Sequence, residues 1–165
     1  MSHPPKDVYA VAASVTDPEM PMLTLEDLGV LRSVEVEGSR AVVTITPTYS
    51  GCPAMGSMRD ALVGVLGEEG YDAEVHVSLS PPWSSDWINE RGRRALHEHG
   101  LSAPGPAPTR SGPLTVSLLP TRRAITCPRC GSADVALTSE FGPTACTALY
   151  RCTSCLEPFE HVKEI

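Results

Sequence analysis

The sequence predicts an α+β fold, with a small three-stranded sheet and helices over residues 1–100, a Pro-rich linker over 101–121, and a four-cysteine zinc-ribbon module over 122–165. Three observations carry this. Short runs around Val34–Val36, Val43–Thr46 and Val75–Leu79 alternate apolar and polar residues, the period of a strand with one covered face. Between the second and third runs, Met55, Met58, Leu62, Val65 and Leu66 recur at three and four residues, sharing one stripe of a helix. Near the C-terminus, two C-x-x-C pairs stand 21 residues apart.

In chain order, Asp7 to Val15 reads as a first helix with Val8, Val11, Ala12 and Val15 on its apolar side. It stops at Asp17-Pro18, because the residue before a proline is steered out of the helical region. Asp17 to Met22 is too rich in proline to form an element. Leu23 to Leu31 reads as a helical turn with Thr24 as cap and Gly29 as its end. Val34 and Val36 alternate with glutamates in the first strand, Gly38-Ser39 turns the chain, and Ala41 to Thr46 returns to complete a hairpin. The helix after Cys52 closes near Gly67–Gly70, and Val75, Val77 and Leu79 then form a third strand with His76 on the opposite, solvent face. Ser84, Ser85 or Asp86 caps a last helix, Trp87 to His99, ended by Gly100. Trp83 and Trp87 read as packing anchors, and Trp83 beside two prolines is also placed to shape the rim of a site. Arg91, Arg93 and Arg94, diluted by Glu90 and Glu98, read as a solvated face. Pro104, Pro106, Pro108, Pro113 and Pro120 stiffen the linker, with Leu114 to Leu119 as a short strand within it.

A chain of 165 residues with 41% hydrophobic content admits one ordinary domain with an appendage. Its formal charge is −7, and neither part is basic: residues 1–121 hold eight Lys/Arg against fifteen Asp/Glu, and residues 122–165 hold five of each. That balance argues against a nucleic-acid partner. With no long apolar run and no charged-then-apolar leader, the expectation is a cytoplasmic protein without a membrane partner. In a reducing compartment, six cysteines point to metal or redox chemistry rather than a disulfide frame.

Cys127-Pro128-Arg129-Cys130 and Cys152-Thr153-Ser154-Cys155 can each aim two sulfurs at one ion from a tight turn, together giving a tetrahedral four-thiolate shell. Structural zinc suits this layout, and an iron–sulfur cluster uses the same four ligands. Arg129 and the backbone N–H groups of the turns offset the sulfur charge. So small a module cannot bury enough core to fold unaided, so the ion supplies much of its folding free energy. Cys146 reads as a buried free thiol, since four paired cysteines complete a shell, with replacement of a ligand as the alternative; His161 could do the same but lies beyond the second turn.

Cys52 joins the second strand to the central helix. Pro53 suits the first helical position, which makes Cys52 the N-cap; free N–H groups and the helix dipole would then lower its thiol pKa. The competing interpretation is a small buried residue beneath the helix, since unpaired cysteines are often buried.

These residues carry a resemblance. Asp17-Pro18-Glu19, Leu25-Glu26-Asp27-Leu28-Gly29, Thr46-Pro47-Thr48 and Gly51-Cys52-Pro53-Ala54 resemble the words of the small iron–sulfur assembly-factor family that includes the MIP-eighteen and SufT types. The resemblance implies a three-stranded sheet covered by helices, and Cys52 as a metal-handling thiol for transient iron or an iron–sulfur cluster, with Asp17, Glu19 and Thr48 shaping its site. Thr46 to Met55, Pro81-Pro82-Trp83, Asp86-Trp87-Ile88, Cys127 to Ser132, Phe141-Gly142 and Glu157-Pro158-Phe159 are similar to the family of D subunits of phenylacetyl-CoA epoxidase systems, covering nearly everything but the linker. That similarity implies an accessory component, inactive alone, of a di-iron ring-epoxidising monooxygenase. Its role would be maturing or inserting iron or iron–sulfur centres in oxygenase or reductase partners. The alternatives are a structural subunit with an inert Cys52 and a nucleic-acid-binding zinc ribbon. The sequence has no Glu-x-x-His pair and no Gly-rich dinucleotide loop, so it is neither the oxygenase nor the reductase.

Overall fold

The computed structural model describes residues 7–108 and 124–165, which gather into two compact units. The first holds the described chain up to Trp83 together with Trp87–Ala95, and the second holds Ser84–Asp86 together with Leu96–Ile165. The Leu114–Leu119 strand expected from the sequence lies outside the described residues.

In the first unit, α1 (Val8–Ala13) starts where the Asp7 carboxylate accepts the Tyr9 N–H. A hairpin of β1 (Leu31–Glu37) and β2 (Arg40–Ile45) follows, turning at the expected Gly38-Ser39. Helix α2 (Met55–Glu68) crosses over to β3 (Asp72–Val77), which runs parallel to β2 and completes a sheet of order β1-β2-β3. Met58, Leu62 and Leu66 of α2 are buried, as are Ala41, Val43 and Ile45 of β2 and Val75 of β3, the strand against which α2 packs. Met55 and Val65 sit half-buried at the edges of that stripe.

Leu25–Gly29 forms the expected helical turn, the Leu28 N–H donating to the Thr24 carbonyl at 3.1 Å and the Gly29 N–H to the Glu26 carbonyl at 3.0 Å. Its entry is fixed across the chain, where Thr24 bridges Thr16 and the Leu25 N–H, which a helix start leaves without a partner, donates to the Val15 carbonyl. Thr24 does cap, its hydroxyl accepting the Asp27 N–H while Asp27 accepts the Thr24 N–H. Arg91 Nε then holds the buried Asp27 carboxylate at 2.8 Å. Gly29 has φ +68°, and a Cβ there would lie 2.5 Å from the Trp87 Cβ, so only glycine lets the two backbones approach. The last helix, α3 (Glu90–Glu98), begins later than expected, because Asn89, not Ser84, Ser85 or Asp86, caps it through the Gly92 N–H. Trp83 is buried, with Nε1 donating to the Leu28 carbonyl, and Arg32 stacks on Trp87 at 3.7 Å.

The second unit is a four-stranded sheet of order β4-β7-β6-β5, from β4 (Leu101–Ser102), β5 (Val135–Ser139), β6 (Thr147–Cys152) and β7 (Pro158–Val162). Its core is Ile125, Cys127, Ala148, Tyr150, Cys152 and Phe159. Leu101 and Ser102, at the start of the segment whose composition suggests a linker, pair in parallel with Glu160 and His161.

Candidate metal-handling loop and four-cysteine centre

Residues 46–54 connect the end of β2 to α2, and because β2 and β3 are parallel this loop sits at the carboxyl end of the pair. In open sheets of this kind, ligand sites collect at that end. Thr46 is anchored there by its N–H to the Val30 carbonyl, 2.8 Å. Cys52 follows but is not the N-cap. Its carbonyl accepts the Met55 N–H at 3.4 Å in a tight turn containing Pro53 and Ala54, and the first α-helical bond runs from Met58 N–H to the Ala54 carbonyl. Pro53 therefore lies in the turn ahead of the helix rather than at its first position.

The expected lowering of the Cys52 pKa is also corrected. Burial is the largest cause and pushes the thiol up, the Glu19 and Asp17 carboxylates push it further, and the opposing hydrogen bonds from the Ala54 N–H and Tyr49 hydroxyl do not outweigh them. Cys52 is 8% exposed. Its surroundings nevertheless include acidic and hydroxyl groups. Asp17, buried, folds its own segment into a turn by accepting the Glu19 and Met20 N–H groups at 2.7 and 2.9 Å. Burial pushes the Asp17 and Glu19 carboxyls up, and for Glu19 the Asp17 charge adds to it. The structure thus brings Asp17 and Glu19 to Cys52 from a distant stretch of chain. Thr48 lies half-buried in the same loop, where Tyr49 is the side chain bonded to the thiol. Sequence reasoning does not single out Tyr49; its place three residues before Cys52 in a Gly-containing loop is the signal that could have found it.

The four ribbon cysteines converge: the sulfurs of Cys127, Cys130, Cys152 and Cys155 all lie within 4.8 Å of one another. Cys127 and Cys152 are buried, Cys130 and Cys155 exposed. The Cys127–Cys155 and Cys130–Cys152 sulfurs are 3.7 and 3.6 Å apart. A zinc–sulfur bond of about 2.3 Å puts the edges of a ZnS₄ tetrahedron at about 3.8 Å, so the donor set fits zinc and is too open for a disulfide. Backbone N–H groups of Ser132, Ser154, Cys155 and Glu157 point at the sulfurs, as a shell carrying excess negative charge requires. The Cys155 N–H is the largest influence pulling Cys152 down to about 6, whereas Cys130, despite the Ser132 N–H, is pushed up to about 12 by its sulfur neighbours. Four thiolates this close need a cation. The two knuckles match in backbone as well, Gly131 and Leu156 both bending at positive φ after the second cysteine. Ser132 and Ser154 join them at 2.9 Å. Arg129 pairs with Glu157 across the knuckles at 2.7 Å.

Cys146 and His161 lie apart from this cluster. Cys146 is buried beside the Thr144 hydroxyl. His161, 1% exposed, bonds Ser102 through Nδ1 and Glu164 through Nε2 and meets the Tyr150 ring edge-on. His76 is exposed and bonded to Glu74, as expected of a surface residue.

Comparison with known proteins agrees with both units. The family described as "Iron-sulfur cluster assembly protein" matches residues 5–81, and the "PaaD zinc beta ribbon domain" matches residues 111–163. An Escherichia coli K12 protein, provisionally named as the D subunit of 1,2-phenylacetyl-CoA epoxidase, is 40% identical over 158 residues, 95% of this chain and 91% of its own. The chain belongs to this D-subunit family. The Staphylococcus aureus USA300 Fe-S protein maturation auxiliary factor SufT is 34% identical over 85 residues, half of this chain and 96% of its own. The crystal structure of a Bacillus anthracis domain of unknown function, DUF59, is 32% identical with a TM-score of 0.50, covering 54% of this chain and 87% of that one. This member of the D-subunit family therefore joins an iron–sulfur-assembly fold to a ribbon with a four-cysteine metal centre. Among the described residues, no helix is long and apolar enough to cross a membrane.

Proposed function

We propose that the chain is an accessory subunit of a phenylacetyl-CoA epoxidase system that helps mature or insert iron or iron–sulfur centres in the oxygenase or reductase subunits of that system, working in the cytoplasm. Cys52 is the thiol that handles the metal as cargo. Asp17, Glu19 and Thr48 shape its site, and Tyr49 bonds the sulfur. Zinc in the ribbon holds that unit folded, its four sulfurs closing the shell without an open position. One observation carries the reading: Glu19 and Asp17 are folded onto Cys52, where they add to the upward push that burial gives its thiol. Two carboxylates beside a thiol oppose a thiolate but attract a cation. A cation arriving there reverses the sign of the local field and drives the proton off the sulfur. The resting thiol is thereby kept protonated and weakly nucleophilic until metal is present.

The test is reconstitution of the metal-free partner subunits with iron and either the native chain or Cys52→Ala. Faster or fuller iron loading with the native chain alone is expected. Equal iron loading and turnover with Cys52→Ala would sink the reading. The burial of Cys52 favours a second reading, a structural subunit with an inert thiol. That reading predicts the same reconstitution with both proteins. The acidic balance of the chain supports the absence of a nucleic-acid partner.

A further inference from the structure

The sheet of the first unit ends on β3, which among the described residues pairs with β2 alone. Two bonds bracket this pairing: Asp72 N–H donates to the Ser39 carbonyl at 2.8 Å and Ser78 N–H to the Ile45 carbonyl at 2.9 Å. Strand groups alternate sides at period two, so the even-numbered residues point their N–H and C=O groups at β2. Those of Ala73, Val75 and Val77 point away from it. Among the described residues that side has no strand against it, and its hydrogen-bonding groups form a row of the kind that accepts another strand.

Side chains give this edge two distinct faces. Val77 and Leu79, two residues apart and 51% and 61% exposed, continue the helix-side face of Val75 past the end of the strand. On the opposite face, register places Glu35 beside Val42 and Glu74, and Glu37 beside Arg40 and Asp72. Of those four carboxylates, Glu74 is paired with Arg40 and His76, leaving the face with excess negative charge. The other edge, β1, is interrupted by a bulge between Leu31 and Ser33, a feature that discourages edge pairing. Among the described residues, β3 pairs with β2 without such a register shift.

We propose that β3 is a docking edge for an extended segment of a client polypeptide that alternates apolar and basic residues. Its apolar side chains lie against Val77 and Leu79, and its basic ones lie over the acidic face. The parallel run of β2 and β3 brings the C-terminal end of this edge to the same end of the sheet as the Cys52 loop. On the proposed maturation role, a docked client is thereby presented to the metal-handling thiol.

Backbone amide hydrogen exchange of the zinc-loaded full chain tests this with two synthetic peptides, one alternating Val and Lys and one alternating Val and Glu. The Val/Lys peptide, at ten times its dissociation constant, is expected to slow exchange at Ala73, Val75 and Val77 about tenfold. The Val/Glu peptide should leave it unchanged. The double variant Val77→Lys, Leu79→Lys changes only exposed side chains and should abolish the protection. Cys52→Ala should retain it, so docking can fail or succeed independently of the thiol chemistry. Protection by both peptides alike, none by either, or survival in the double variant overturns the proposal. Protection that rises with protein concentration in the absence of peptide also overturns it, by assigning the edge to a second copy of the chain.

Discussion

Gly29→Ala separates two costs that the structure places at one residue. Gly29 sits at φ +68°, and an L side chain in the left-handed region costs about 1–2 kcal/mol. The new Cβ would also stand 2.5 Å from the Trp87 Cβ and 2.8 Å from its carbonyl oxygen. Neither is the free end of a flexible side chain, so the Trp87 backbone must move, an overpacking cost of about 1–3 kcal/mol. The expected loss is about 2–5 kcal/mol. Gly38→Ala is the control: its φ is +61°, yet nothing lies within 4 Å of the added Cβ. It should lose only the backbone cost, about 1–2 kcal/mol. Urea unfolding of the zinc-loaded chain, followed by the fluorescence of Trp83 and Trp87, reads both, since both tryptophans belong to the first unit. Equal losses from the two variants would refute the assigned contact between Gly29 and Trp87.

Two further outcomes follow from the site chemistry. Because its pKa is raised, Cys52 holds little thiolate near neutral pH, so its alkylation by iodoacetamide should be slower than that of a free cysteine and should rise with pH. Glu19→Gln removes a charge that pushes the thiol up and should speed the reaction, while Tyr49→Phe removes a bond that stabilises thiolate and should slow it, each by about two- to tenfold. Site-resolved mass spectrometry of zinc-loaded protein checks both signs, and equal rates in all three proteins would contradict them. Stripping the metal with a strong chelator should remove about one zinc per chain and abolish amide protection in β5, β6 and β7 while β1, β2 and β3 keep theirs. Loss of protection throughout would show that the first unit also depends on the ion.

The parts of the fold legible in the sequence are those set by near neighbours. The β1–β2 hairpin follows from alternation and the Gly38-Ser39 turn, and the four-sulfur cluster from two local turns. Misreadings arise where a distant partner decides. Leu101-Ser102 looks like the start of a linker until β7 supplies a partner about sixty residues away. Pro53 is a good first helical residue by propensity, yet the tight turn from Cys52 to Met55 delays the helix. At the candidate site, Asp17, Glu19 and Cys52 are each visible as residues. Their convergence and its upward effect on the thiol depend on burial and tertiary contact, which period and spacing do not encode.

On the proposed role, the two sulfur sites of this chain differ in the property that separates holding a metal from passing it on. In the ribbon, four sulfurs within 4.8 Å fill a tetrahedron, and their knuckles are tied by Ser132–Ser154 and Arg129–Glu157. Exchange there requires breaking several bonds together with the fold they hold, which suits a resident ion. Cys52 offers one thiol with carboxylates near it, a set that leaves most coordination positions to be supplied by another molecule. On the proposed role, that incompleteness is the functional feature. A donor set too poor to retain iron leaves the remaining ligands to the client, so the direction of transfer follows from the client's more complete shell.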